Sequence, residues 1–160
     1  MKESNENIKI AVKEAIDKIA SFMNLECQVD VREEADDRNN KSLYVAIYTP
    51  ENARFLIGRD GQNLKSLEHI IRAMFLKKMD DLANIVLDVN DYKKSRSSYL
   101  IDIARQAVMR VRSTQKAEAL LPMSSYERRI VHMELASYPD IATESIGTDP
   151  QRRIVIKLYP

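Results

Sequence analysis

Two short strings in this 160-residue chain carry residue types that could hold an anion. The first is Ile57-Gly58-Arg59-Asp60-Gly61. The whole sequence contains 3 glycines, and glycine loses more conformational entropy on folding than any other residue. Two of them three positions apart therefore mark a turn that needs positive φ or close backbone approach. Between two helices, such a turn offers free backbone N–H groups and Arg59 at a helix N-terminus, where the macrodipole favours negative charge. A phosphate fits there. The plain alternative is that Gly58 ends one helix and Gly61 permits a tight turn. The second string is Pro122-Met123-Ser124-Ser125-Tyr126-Glu127-Arg128-Arg129-Ile130-Val131-His132. Ser124 and Glu127 form a capping box that fixes a helix start, and this places Arg128 and His132 at i and i+4 on one face. A guanidinium is a planar fork for phosphate oxygens, and an imidazole adds a donor or a stacking ring. In isolation Arg-x-x-x-His recurs by chance in many helices, and Arg128 could as well brace the interior. The longer string is the more specific signal.

The elements around these strings are legible from periodicity. Ile8, Val12, Ala15, Ile16, Ile19 and Phe22 predict an amphipathic first helix. Alternation of Leu25, Cys27, Val29 and Val31, then of Leu43, Val45 and Ile47, predicts two strands separated by the polar loop Asp36-Asp37-Arg38-Asn39-Asn40. Thr49-Pro50 reads as a cap and first helical position for a short helix ending at Ile57. Past Gly61, Leu64, Leu67, Ile71, Met74 and Phe75 predict a second helix, with Lys65, His69 and Arg72 on another face. Ile85, Leu87 and Val89 predict a third strand. After Asn90-Asp91 comes a helix with Leu100, Ile103, Ala104, Ala107, Val108 and Val111 on its apolar side. Its other sides carry Lys93, Lys94, Arg96, Arg105, Arg110, Arg112 and Lys116, opposed in that stretch by Asp102. Such a run is usually a solvated face. Further strands are expected near 118–121, 141–145 and 152–159, the last two joined by the turn Gly147-Thr148-Asp149-Pro150.

Composition narrows the function classes. Hydrophobic residues at 44% and charged residues at 31% describe a globular chain with room for one domain or two small ones. No window approaches the apolar length of a membrane span, and MKESNENIKI lacks the core of a signal peptide, so cytoplasmic residence without direct membrane insertion is expected. The single cysteine excludes an intrachain disulfide, and 2 histidines far apart give no metal-ligand spacing, so neither metal nor cofactor is expected. Net charge is +1, yet it is uneven: 13 Lys+Arg against 16 Asp+Glu in residues 1–90, and 12 against 8 in residues 91–160. Concentrated positive charge in the second part is compatible with a nucleic-acid surface.

The G-x-x-G between helices resembles that of the K-homology (KH) domain, whose loop clamps about four nucleotides of single-stranded nucleic acid. The order α-β-β-α-α-β over about residues 5–90 is that of the type II KH topology, an α+β fold with a three-stranded sheet and its helices on one face. Residues 91–160 resemble the R-3-H domain, a small α/β module named for its Arg-x-x-x-His. They do so through the string from Pro122 to His132, the preceding basic helix, Thr143-Glu144-Ser145-Ile146-Gly147 and Arg152-Arg153-Ile154-Val155-Ile156. A KH domain at 1–90 followed directly by an R-3-H domain at 91–160 resembles the bacterial Jag family. Relative to that pattern the chain starts at the KH helix, without a Jag-N domain, and Asp60 puts a carboxylate beside the expected phosphate path.

The resemblance implies a non-catalytic binder of single-stranded RNA, with single-stranded DNA as a further partner. The residues expected to carry binding are Ile57, Gly58, Arg59, Gly61, Lys65 and Arg72 in the first part, and Arg128, Arg129, His132, Arg152 and Arg153 in the second. The apolar groove beside Ile57 would accept bases. A protein-interaction subunit, pairing through its KH part into a homo- or heterodimer, is the alternative. A nuclease or phosphoesterase built on Arg128 and His132 with Glu127 and Glu134 is the weaker one, because no acidic metal cluster and no nucleophile–base pair are assembled.

Overall fold

The computed structural model describes residues 5–35, 41–75, 77 and 82–159, so the loop expected at Asp36–Asn40 lies outside the described residues. The chain divides into two compact units, 1–93 and 94–160.

In the first unit, α1 (Asn5–Phe22), β1 (Gln28–Ala35), β2 (Lys41–Tyr48), α2 (Ala53–Ile57), α3 (Gln62–Phe75) and β3 (Leu82–Val89) follow in the type II KH order. The sheet order is β1-β2-β3, with β1 antiparallel and β3 parallel to β2. A parallel pair requires a crossover over one face of the sheet, which α2 and α3 supply. Leu43, Val45 and Ile47 stand beside Ile85, Leu87 and Val89 in register. These six are at most 1% exposed. They pack with Ile8, Val12 and Ile16 of α1 and with Leu64, Leu67, Ile71 and Phe75 of α3 in one cluster. Each such side chain contributes about 1.5–3 kcal/mol relative to exposure, so this period-2 face meeting two period-3.6 stripes is what holds the unit.

Several expected positions differ. Phe22 and Met74 are exposed: Phe22 is the last residue of α1, and Met74 sits one position before Phe75, which takes the inward direction. β1 starts at Gln28, so Cys27 lies before the strand, half-buried against the cluster; burial raises its thiol pKa. Thr49 does not cap a helix. Its N–H donates to Asn90 Oδ1 at 3.0 Å, its carbonyl accepts from Asn90 Nδ2 at 2.8 Å, and its hydroxyl donates to the Glu51 carbonyl at 2.6 Å. Those bonds hold Thr49 at the end of β2, and α2 begins only after Asn52, which has φ of 62°.

The second unit contains α4 (Tyr92–Thr114), β4 (Glu118–Ala119), α5 (Ser125–Leu135), β5 (Ile141–Ile146) and β6 (Arg153–Leu158). The first two residues of α4 belong to the preceding unit. Its antiparallel sheet has the order β4-β6-β5. Leu100, Ala104, Ala107, Val108 and Val111 of α4 pack with Val131 and Leu135 of α5 and with Ile141, Ile154 and Ile156 of the sheet. The strand expected to reach Leu121 stops at Ala119, and Leu121 is exposed. Pro122 has no N–H to continue a ladder. Pairing with the β6 side persists only as single bonds, Leu120 N–H to the Ile154 carbonyl at 2.9 Å and Met123 N–H to the Arg152 carbonyl at 3.1 Å.

Candidate nucleic-acid interface

The glycine turn of the first unit is built from local bonds. Gly58 closes α2 by donating its N–H to the Arg54 carbonyl at 2.8 Å, and Asn63 Nδ2 donates to the Phe55 carbonyl at 2.9 Å. Gly58 and Gly61 have φ of +71° and +78°, and a single 3-10 turn, Arg59–Gly61, joins α2 to α3. A Cβ on Gly58 would fall 2.5 Å from Asn63 Cγ, and one on Gly61 would fall 2.9 Å from the Tyr92 ring. Both positions therefore require glycine for conformation and for space. Arg59 projects into solvent with its side chain 91% exposed, and its Nε is 3.7 Å from Asp60 Oδ2. Asp60 thus lies beside the one cation of the turn, where it lowers the local positive potential.

Around the turn, Ile57 is half-buried against the apolar cluster, while Lys65 and His69 are exposed on α3. Arg72 is directed elsewhere. Its Nη2 donates to Glu68 Oε1 at 3.1 Å and to the Ile85 carbonyl at 3.2 Å, which ties its guanidinium to the edge of β3, while Lys65, two turns earlier on the same helix, is exposed.

In the second unit the capping box forms as the sequence predicts. The Ser124 hydroxyl accepts from Glu127 N–H at 3.3 Å, and Glu127 Oε2 accepts from Ser124 N–H at 2.8 Å. Glu127 Oε1 also accepts from Arg96 Nε at 2.8 Å. Burial pushes the Glu127 carboxyl pKa up, but the bonds from Arg96 and from the Ser124 amide and hydroxyl outweigh it and hold the group below its ordinary value.

Starting α5 there fixes Arg128 and His132 on one side, but they differ in exposure. Arg128 is 7% exposed. Its Nη1 donates to the Met123 carbonyl at 2.7 Å and to Asp149 Oδ1 at 3.2 Å, so it braces the start of α5 against the β5–β6 turn and is not the exposed fork expected from the sequence. His132 is exposed, with Nδ1 2.6 Å from the Thr143 hydroxyl of β5. Two residues along the same strand, the Ser145 hydroxyl accepts from Arg152 Nε at 3.0 Å. Thr143 and Ser145 share a face, because they stand opposite Ile156 and Ile154 in the ladder. His132 and Arg152 are thereby held at successive steps of β5. Thr143 and Ser145 are the residues that sequence reasoning missed. The signal was available in the alternating hydroxyls of Thr143-Glu144-Ser145. Arg153 stands opposite Ile146, on the other face of the sheet, and Arg129 is exposed on α5.

The basic helix is also rearranged by the fold. Arg96 pairs with Glu127, Arg105 with Glu134, Arg110 with Glu118 and Arg112 with Asp140, all at 2.8 Å or less. The Arg112 guanidinium holds the Asp140 carboxyl below its usual range against a smaller opposing effect of burial. Asp149 and Glu144 pair with Arg128 and Lys157. Apart from Asp102, every carboxylate side chain in residues 94–159 is therefore engaged by a basic side chain. Among the described residues of that unit, Lys94, Lys116, Arg129, Arg152 and Arg153 have no carboxylate ion pair, and they carry its excess positive charge.

Comparison with known proteins places this geometry. Residues 98–158 match the R-3-H domain. The protein named RNA-binding protein KhpB from Clostridium symbiosum is 29% identical over 146 residues, covering 91% of this chain and 64% of that protein. The protein of the same name from Bacillus subtilis (strain 168) is 34% identical over 110 residues, covering 68% of this chain and 53% of its own. That from Lactiplantibacillus plantarum is 34% identical over 103 residues, 64% of this chain and 32% of that one. The chain thus spans about two thirds or less of the length of these relatives. An α-β-β-α-α-β unit, a segment behind it that matches the R-3-H domain, and relatives that align across both make the chain similar to the Jag family in the order of its parts.

Proposed function

We propose that this chain binds single-stranded RNA without catalysing a reaction, and that its principal contact surface is the His132–Thr143–Ser145–Arg152 row on α5 and β5. The observation that carries this reading is the convergence of an exposed imidazole and a guanidinium on successive same-face hydroxyls of one strand. The unit around them has had nearly all its acids neutralised internally. Arg152 and Arg129 supply charge for phosphates, His132 supplies a donor or a stacking surface, and Thr143 and Ser145 hold the first and last of the row in place. Arg128 braces the start of α5, the helix that carries His132. The Gly58–Gly61 turn with Arg59 is the second contact, weakened by Asp60, with Ile57 and Lys65 beside it. The names of the relatives, all RNA-binding proteins, support RNA as the ligand.

Photocrosslinking to a 4-thiouridine-substituted single strand, followed by mass spectrometry, tests the assignment. Crosslinks should map to the segments holding His132 and Thr143–Arg152, with a weaker set at Phe55–Lys65. Crosslinks confined to the α4 surface, or none under conditions where the strand is bound, would refute it. A second reading is favoured by Ile70 and Met74, which lie at i and i+4 on α3 and are 51% and 54% exposed: the first unit pairs with another KH-type protein through α3. Loss of self- or partner association in an I70E/M74E variant, with RNA affinity kept, would support that reading.

A further inference from the structure

β3 is an edge strand, with β2 on one side and no strand on the other among the described residues. An open edge normally leaves every second N–H and C=O free, a template on which a further strand can add. Here that edge is occupied. Asn90 N–H donates to the Ile47 carbonyl at 3.0 Å, so even-numbered amides face β2 and odd-numbered ones face outward. From Ile85 to Val89, each outward amide is taken by a side chain. Asn84 Oδ1 accepts from Ile85 N–H at 2.9 Å, Glu68 Oε2 accepts from Leu87 N–H at 3.0 Å, and Asp88 Oδ1 accepts from Val89 N–H at 2.9 Å. The Ile85 carbonyl accepts from Arg72 Nη2 at 3.2 Å.

These side chains are themselves fixed. Glu68, on α3, is held by Arg72 Nη2 at 3.1 Å and by Lys93 Nζ at 2.8 Å. Asp88, 4% exposed, also accepts from Lys93 N–H at 3.1 Å and from the Tyr44 hydroxyl at 3.2 Å. We propose that Glu68, Arg72, Asn84 and Asp88 seal the β3 edge against strand addition, so that a second copy of this chain cannot extend the sheet of the first unit there. Sealing by side chains from the helix and from the strand itself occupies the outward amides from Ile85 to Val89 and the Ile85 carbonyl, and places charge where an incoming strand would have to run. Arg72, which the sequence groups with the nucleic-acid residues, belongs to this seal.

Residue-resolved hydrogen exchange together with sedimentation tests the proposal. In the unmodified protein, Ile85, Leu87 and Val89 amides should exchange slowly although no strand faces them. Glu68→Ala should speed exchange at Leu87 by roughly tenfold, the loss expected for one hydrogen bond, while Glu68→Gln, whose amide oxygen still accepts, should keep it slow. The double variant E68A/R72A should gain concentration-dependent association relative to the unmodified protein. Equal exchange at Leu87 in the unmodified and Glu68→Ala proteins would overturn the proposal, as would a folded E68A/R72A protein with no added association. Should the double variant fail to fold, the exchange comparison still decides.

Discussion

Replacing Arg128 by alanine separates a brace from a gripping residue. The structure gives Arg128 two internal acceptors, the Met123 carbonyl at 2.7 Å and Asp149 Oδ1 at 3.2 Å, and leaves it 7% exposed. Truncation orphans the Met123 carbonyl, which costs about 1–3 kcal/mol. The Asp149 carboxylate is 69% exposed, and water screens that pair, so it adds at most about 0.5 kcal/mol. A total of about 2 kcal/mol in a unit of this size lowers Tm by roughly 10 °C. Calorimetry should therefore show the transition of the second unit moving down by that amount. At a temperature where the variant is still folded, its affinity for single-stranded RNA should fall less than that of an Arg152→Ala variant. An unchanged Tm, with affinity lost and the slope of log affinity against log salt reduced by about 0.7, would show a direct phosphate contact and refute the brace.

Glu127 links stability to pH. Its folded pKa is held below the ordinary 4.5, so its stabilisation is complete above that value and disappears as pH falls through the lowered one. The stability difference between the unmodified protein and Glu127→Gln should accordingly shrink as pH drops below about 4.5, and a constant difference from pH 7 to 3 would contradict the Arg96 contact. Gly61→Ala should destabilise the first unit by about 1–2 kcal/mol, because φ is +78° and the new Cβ would meet the Tyr92 ring; a neutral result in chemical denaturation would mean that this turn relaxes freely. Thr143→Val should weaken RNA binding through a freed His132 ring while Thr143→Ser restores it, and imidazole nitrogen shifts should report the change. Identical shifts in all three proteins would remove Thr143 from the site.

Much of the fold was legible because its signals are local. Ile8, Val12 and Ile16 recur at helical spacing, Leu43, Val45 and Ile47 alternate, and the scarcity of glycine makes Gly58 and Gly61 conspicuous. What the sequence hid lies in contacts between distant residues. The basic helix α4 reads as a cationic face because a local count meets only Asp102, whereas its acidic partners are 31, 29, 8 and 28 residues away at Glu127, Glu134, Glu118 and Asp140. Arg128 looks like a free fork until Asp149, 21 residues on, is brought against it. Thr49-Pro50 resembles a helix start because its competing partner, Asn90, is 41 residues distant. Conversely, His132 gained a neighbour that the Arg-x-x-x-His spacing does not contain, since Thr143 is supplied by a strand.

Whether the second unit grips RNA phosphates through Arg129 and Arg152 is decided by a salt titration of single-stranded RNA binding, comparing the unmodified protein with an R129A/R152A variant. Log affinity should fall linearly with log salt in the unmodified protein, and the slope should be smaller by about 1.4 in the variant, about 0.7 for each phosphate contact removed. Equal slopes in two folded proteins, or no measurable binding by the unmodified chain at low salt, would contradict that reading.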